Sequence, residues 1–143
     1  MAEARMTVAE LTQFLADAFP QAFNAEAGLS IEAADFGRSR VRQAYAERLL
    51  RPGGTISGPT MMALADTAMY VAVLASIGPV PLAVTTNLTI NFLRKPQPRA
   101  LLAEAELLKL GRRLAVGEVA IRSEGEEAVV AHVTATYSIP PDA

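Results

Sequence analysis

Between Gly53 and Pro79 the chain reads GGTISGPTMMALADTAMYVAVLASIGP, a glycine-rich loop followed by a long run of strong helix formers. From Thr60 to Ile77 the only charged residue is Asp66, and the apolar side chains fall on every face of a helix rather than on one stripe. A helix that is apolar all round is either buried in a domain or crosses a membrane. This run is about long enough to cross, but Asp66, Thr67 and Ser76 interrupt it and no basic flank precedes it. It is therefore expected to lie wrapped inside the domain, with no membrane partner. Ser57 is the expected N-cap, Pro59 fits the first turn where a backbone N–H has no partner, and Gly78 with Pro79 supplies the stop. One carboxylate is thereby left in an apolar setting.

The bulk numbers narrow what such a chain can do. A length of 143 residues fits a single domain, 1–143, with residues 1–28 as an N-terminal helix and lead-in. With 51% hydrophobic residues the chain is not disordered by composition. A formal net charge of -2 and a pI near 5.4 give no electrostatic footprint for nucleic acid. The lack of cysteine excludes disulfides, thiolate metal sites and a cysteine nucleophile. The single histidine, His132, excludes a multi-histidine metal site within one chain and leaves a Ser-His-Asp triad one candidate base. The opening MAEARMTVAE lacks the apolar core of a signal peptide, so a cytoplasmic location is expected.

Outward from the central run, the N-terminal side begins with Thr7-Val8-Ala9-Glu10, which matches a capping box. Leu11, Phe14, Leu15 and Phe19 follow at helical spacing, so Val8 to Ala18 reads as an amphipathic helix ending before Pro20. Leu29 to Phe36 and Ser39 to Glu47 read as strands joined at Gly37-Arg38, and Arg51-Pro52-Gly53-Gly54 as a loop. On the C-terminal side the period changes to two. Leu88, Ile90 and Phe92 alternate with Asn87, Thr89 and Asn91; Ala103, Ala105 and Leu107 alternate with Glu104 and Glu106; Val119 and Ile121 alternate with Glu118 and Arg122. From Val129 to Ile139 the odd positions are apolar or aromatic, the even ones between them mostly polar. These are strands with one covered and one wetter face, turned at Gly111-Arg112-Arg113 and at Glu124-Gly125-Glu126. A mostly antiparallel sheet wrapped around one apolar helix is an α+β arrangement.

This layout, with ISGPTMMALADTAMY, AVTTNLTINFLRKP and LLKLGRRLAVGEV in that order, resembles the hotdog-fold thioesterases of the phenylacetate-degradation type over about Leu29 to Ile139. The resemblance implies hydrolysis of an acyl-CoA thioester by a homodimer or a dimer of dimers, with active sites at the dimer seam. No cofactor is implied; coenzyme A enters as part of the substrate. The family signature before the helix is His-Gly-Gly, with an acid seven positions after the second Gly. Here the window is Ser57-Gly58-Pro59 and the acid is Asp66. By the resemblance, Asp66 is the catalytic carboxylate and Gly58 donates the backbone N–H that polarises the thioester carbonyl. Thr85 falls where relatives carry a hydroxyl that positions water. Arg94, Lys95, Arg112 and Arg113 fall where they often contact the nucleotide end of coenzyme A. This chain departs from the pattern at Ser57 for His, at Pro59 for a Gly whose N–H is lost, and at Arg51 for a polar amide that helps hold water.

The chemistry suits these residues. A carboxylate in an apolar helix is poorly hydrated and so more reactive towards a bound acyl group. A helix N-terminus presents unpaired N–H groups and a positive dipole end to a developing oxyanion. Tyr70, one turn after Asp66, either lines the acyl pocket or packs. Asp66 read alone also fits a structural carboxylate, satisfied by a neighbouring hydroxyl or facing solvent. Gly58 and Asp66 are eight residues apart, about 12 Å along one helix at ~1.5 Å per residue, so one carbonyl carbon cannot sit within ~3 Å of both. If both act on one thioester, they come from two chains with antiparallel central helices. A non-catalytic acyl-CoA-binding module on the same scaffold is the alternative. A hotdog dehydratase or hydratase, pairing an acid with His132, is a lesser one.

Overall fold

The computed structural model describes residues 2–141. Helix α1 (Val8–Ala18) begins on the predicted capping box: Thr7 Oγ1 accepts from the Glu10 N–H at 3.1 Å and Glu10 Oε1 from the Thr7 N–H at 2.9 Å. Its Leu11 and Leu15 are buried, and Phe19 stands at the C-cap. Strands β1 (Leu29–Asp35) and β2 (Arg38–Gln43) form a hairpin. The two-residue strands β3 (Leu50–Arg51) and β4 (Thr55–Ile56) pair across a turn with Gly53 and Gly54 at positive φ. Helix α2 (Gly58–Ile77) follows, then β5 (Val84–Phe92), β6 (Leu101–Leu110), β7 (Leu114–Ser123) and β8 (Val129–Ser138).

The large sheet has six strands in the order β1-β2-β6-β7-β8-β5, each neighbour antiparallel, and α2 packs across all of them. This is the α+β hotdog arrangement, a sheet around one apolar helix. Although α2 is long and apolar enough to cross a membrane, it is the core of the domain: Val71 to Ser76 are all buried. Two hydrogen bonds pin it to the β1–β2 hairpin, and a third inside the helix leaves no buried hydroxyl among them unpaired. Ser39 Oγ donates to Ala68 O at 2.7 Å, Gly37 N donates to Ser76 Oγ at 2.7 Å, and Ser76 Oγ donates to Ala72 O at 2.8 Å. In β7, Gly117 lies directly under Met69; a methyl group there would meet Met69 Sδ at 2.7 Å. The outer face of the sheet carries exposed ion pairs, among them Arg40–Glu104, Arg122–Glu104 and Arg42–Glu124, each worth little singly.

Several boundaries differ from the sequence reading, each for a local reason. The turn of the first hairpin is Phe36-Gly37, so Arg38 opens β2 rather than the loop. β2 stops at Gln43, and Glu47, taken as strand, begins a 3-10 turn over Glu47–Leu49. Arg51, assigned to a loop, is the end of β3 and pairs with Thr55. Val130, not Val129, is the deeply buried residue at the start of β8, because a bulge sets Ile121 against Ala131 and Arg122 against Val129. The central helix is not enclosed along its whole length. Pro59, Met62 and Ala63 in its first half are exposed, Met62 by 41%. They lie on one stripe with Asp66, Thr67 and Tyr70, which are half-buried. Nor does the chain cover β5, the sheet edge: Phe92 is 51% exposed and Leu88 and Ile90 are only partly buried.

Candidate active site

Asp66 sits in the middle of α2 on the half-buried stripe, and two hydroxyls from the sheet reach its carboxylate. Thr85 Oγ1 donates to Asp66 Oδ1 at 2.6 Å, and the Tyr137 hydroxyl donates to the same oxygen at 2.8 Å and to the Asp66 main-chain carbonyl at 3.1 Å. Thr85 and Tyr137 are register partners on β5 and β8. They reach the helix together because the ladder slips between Thr85 and Asn87. Thr86 is the extra residue, and its hydroxyl turns back to Thr136 O at 3.2 Å. Counted back from Leu88 and Ile90, strict alternation would have aimed Thr86 at the helix and Thr85 away from it. The bulge exchanges them.

Tyr137 was not among the sequence candidates. Its signal was there: alternation along β8 puts it on the covered face, and a buried tyrosine hydroxyl requires a partner. It is 3% exposed and stacks on Tyr70, the ring centroids 5.9 Å apart and the planes 19° from parallel. Burial, then the charge of Asp66, push the Tyr137 phenol above its usual value of 10.0, so it remains a neutral donor in the physiological range. Burial raises Tyr70 too, and its hydroxyl donates to Pro81 O at 3.0 Å.

These groups form one wall of a cavity of about 330 Å³. Asp66, Thr67, Tyr70, Thr85 and Tyr137 supply its polar lining; Leu15, Phe19 and Phe23 from α1 and the segment after it supply apolar lining. A concave apolar chamber with a few convergent polar groups is the usual form of a small-molecule site. Tyr70 therefore lines the pocket as well as packing in it.

Gly58 lies elsewhere. It opens α2 beside a second hollow of about 340 Å³, lined also by Arg51, Phe92, Leu93, Arg94 and Lys95. Ser57 acts as the N-cap, its Oγ accepting from the Thr60 N–H at 3.3 Å and sharing a 2.8 Å hydrogen bond with the Thr60 hydroxyl; Pro59 occupies the first turn. No acceptor among the described residues takes the Gly58 N–H. Arg51, Arg94 and Lys95 form no ion pair among the described residues. Within one chain, then, the carboxylate and the helix-start donor face separate hollows, as their spacing along the helix requires.

The remaining candidates are dispersed. Arg112 borders a third hollow with Ile77 at the far end of α2, and Arg113 follows it in the same turn. That places them roughly 30 Å from Arg94 and Lys95, at ~1.5 Å per residue of helix. His132 points to the outer face, 3.9 Å from Glu118, and does not meet Asp66 within the chain. Among the described residues no three His, Asp or Glu side chains gather to hold a metal ion.

Comparison with known proteins agrees with the fold. A sequence model of the thioesterase superfamily matches residues 53–130. A protein of Halobacterium salinarum assigned as an esterase is 32% identical over 107 residues, 71% of this chain and 70% of that protein. The crystal structure of a Silicibacter protein assigned as a thioesterase superposes with a TM-score of 0.88 at 50% identity, covering 97% of this chain and 95% of that one. A point mutant of the phenylacetic acid degradation protein PaaI from Thermus thermophilus superposes with a TM-score of 0.73 at 28% identity, covering 85% of this chain and 99% of that one.

Proposed function

This chain belongs to the thioesterase superfamily and is a thioester hydrolase; from that premise we propose that it hydrolyses an aryl- or medium-chain acyl-CoA, with Asp66 as nucleophile or general base. The observation that carries the proposal is a lone carboxylate, pinned by two hydroxyls, in the wall of an apolar cavity. Phe19, Phe23, Tyr70 and Tyr137 give that cavity an aromatic lining suited to an aryl or medium-length acyl group. A free Asp66 oxygen either attacks the thioester carbon, expelling the thiolate and leaving an anhydride that water opens, or takes a proton from the water that attacks.

The oxyanion needs a donor, and the hydroxyls lining the cavity among the described residues are already committed: Thr67 to Ala63 O, Tyr70 to Pro81 O, and Thr85 and Tyr137 to Asp66. We assign that role to Gly58 N–H of a second copy, at a helix N-terminus whose dipole favours negative charge. The surface suits such a copy. Met62 on α2 and Val84, Phe92 and Leu93 along the free edge of β5 leave an apolar strip in the open, beside an unpaired ladder. Edge strands of this kind are ordinarily covered. A two-fold pairing of β5 with β5, with the two α2 helices antiparallel, covers the strip and sets each Asp66 against the partner's helix start. The hollow around Gly58 carries Arg51, Arg94 and Lys95, which suit the phosphates of coenzyme A. Arg112 and Arg113, at the other end of the helix, are left outside this nucleotide site. With acyl-CoA as substrate, the working location is the cytoplasm.

The test is Asp66→Asn, assayed with a thiol-detecting reagent across a panel of aryl- and medium-chain acyl-CoA thioesters. Turnover should fall about 10²- to 10⁴-fold with the melting temperature preserved. Undiminished hydrolysis of every thioester that the wild type cleaves would sink the proposal.

A further inference from the structure

We propose that Tyr137 is a positioning residue that, together with Thr85, clamps Asp66 Oδ1 and so dedicates Oδ2 to the substrate. This rests on the assignment of Asp66 above. An aspartate side chain turns readily about its last torsion, where the energy wells are broad, so an exposed carboxylate presents either oxygen in many directions. Here Oδ1 takes both side-chain hydrogen bonds, and the Tyr137 hydroxyl also reaches the carbonyl of the same residue. One phenol therefore holds the side chain and the helix backbone of Asp66 in register with each other. Oδ2 receives no hydrogen bond from the described residues, and no buried side-chain oxygen among them lacks a partner. Oδ2 is thus the accessible oxygen of a residue that lines the cavity.

The clamp is itself held rigidly. Tyr137 is buried, its ring stacks on Tyr70, and the Tyr70 hydroxyl is tied to Pro81 O. Thr85 is paired with Tyr137 across β5 and β8, so the two hydroxyls move as one unit of the sheet. The β5 bulge is what allows both to face the helix. A carboxylate held in this way enters each encounter already oriented, and misplacement by about 1 Å costs on the order of 100-fold in rate.

Tyr137→Phe removes the hydroxyl and keeps the ring and its stacking. Measured with the acyl-CoA thioester that the wild type cleaves fastest, its kcat should fall about 10- to 100-fold while KM stays within about two-fold, because the acyl group still fills the same walls. Thr85→Val should lower kcat less than Asp66→Asn does, since Tyr137 still grips Oδ1, and Thr85→Ser should restore it. A Tyr137→Phe variant with wild-type kcat, or one with raised KM and unchanged kcat, overturns the clamp while an inactive Asp66→Asn leaves the assignment of the carboxylate standing. An active Asp66→Asn overturns both. Should Tyr137→Phe fail to fold, the Thr85 variants decide: a loss in Thr85→Val equal to that of Asp66→Asn overturns the clamp, and a smaller loss restored by Ser supports it.

Discussion

Gly117→Ala tests whether the close approach of sheet and helix is as tight as described. The residue has ordinary backbone angles, so an alanine is not strained there by φ. Its new methyl would lie 2.7 Å from Met69 Sδ, 3.1 Å from Met69 Cε and 2.8 Å from the carbonyl oxygen of Glu106. Met69 is fully buried and cannot swing into water, and the Glu106 carbonyl belongs to the neighbouring strand of the same ladder. Relief therefore requires α2 to lift or β6 and β7 to part. Overpacking of this kind costs about 1–3 kcal/mol, against which the stiffer unfolded chain of alanine returns about 0.4–1 kcal/mol. At the midpoints of these ranges the net is a loss of about 1.3 kcal/mol, or roughly 3–5 °C in melting temperature for a domain of this size. Differential scanning calorimetry reads the shift directly. In the Gly117→Ala background, Met69→Ala should cost less than it does alone, because the two changes share one space. Met69 lies one turn beyond Asp66, so a lifted helix should also lower kcat. A Gly117→Ala protein melting at or above the wild-type temperature, with additive behaviour in the double variant, would refute the packing on which the site's position depends.

Two further outcomes follow from the same geometry. Met62→Glu places a charge on the exposed stripe of α2 and should shift the protein to a monomer in sedimentation equilibrium, with loss of turnover though Asp66 is untouched; a turning-over monomer would remove the second copy from the mechanism. Stability should also fall as pH rises beyond about 10, because the unfolded chain then releases the Tyr70 and Tyr137 protons while the folded state, with both values raised, retains them. For the deeply buried Tyr137 the slope approaches about 1.4 kcal/mol per pH unit, and the partly exposed Tyr70 adds less. Thermal melts between pH 9 and 11 should show a shallower decline for Tyr137→Phe than for wild type, and parallel curves would contradict the deep burial of that phenol.

The sequence yields the helices almost to the residue because their ends are specified locally. Thr7 with Glu10 starts α1, Ser57 with Pro59 starts α2, and Gly78, at a φ of 95°, ends it. The strands were harder wherever the ladder slips. Bulges near Thr86 and Val130 change which side chains face inwards, and no short-range pattern marks them. Thr85 entered as a candidate through resemblance, whereas periodicity alone would have favoured Thr86. Tyr137 was legible only as a covered aromatic. Its partner lies 71 residues away, so its hydrogen bond to Asp66 became visible only once β8 was set beside β5 and under α2. A bent sheet can wrap one side of a helix only, but which side of α2 stays open is not legible in its residues. Composition shows only that the helix is apolar on every side.

The wall of the cavity contributed by Leu15, Phe19 and Phe23 belongs to a segment that adds no strand to the sheet. Phe19, exposed and outside the ladder, can therefore be changed without removing a rung of the sheet, whereas Leu15 and Phe23 are also part of the core. In such a design the tool and the gauge are separate parts: the helix and sheet keep the cutting edge fixed, while the leading segment sets the bore of the chamber that admits the work.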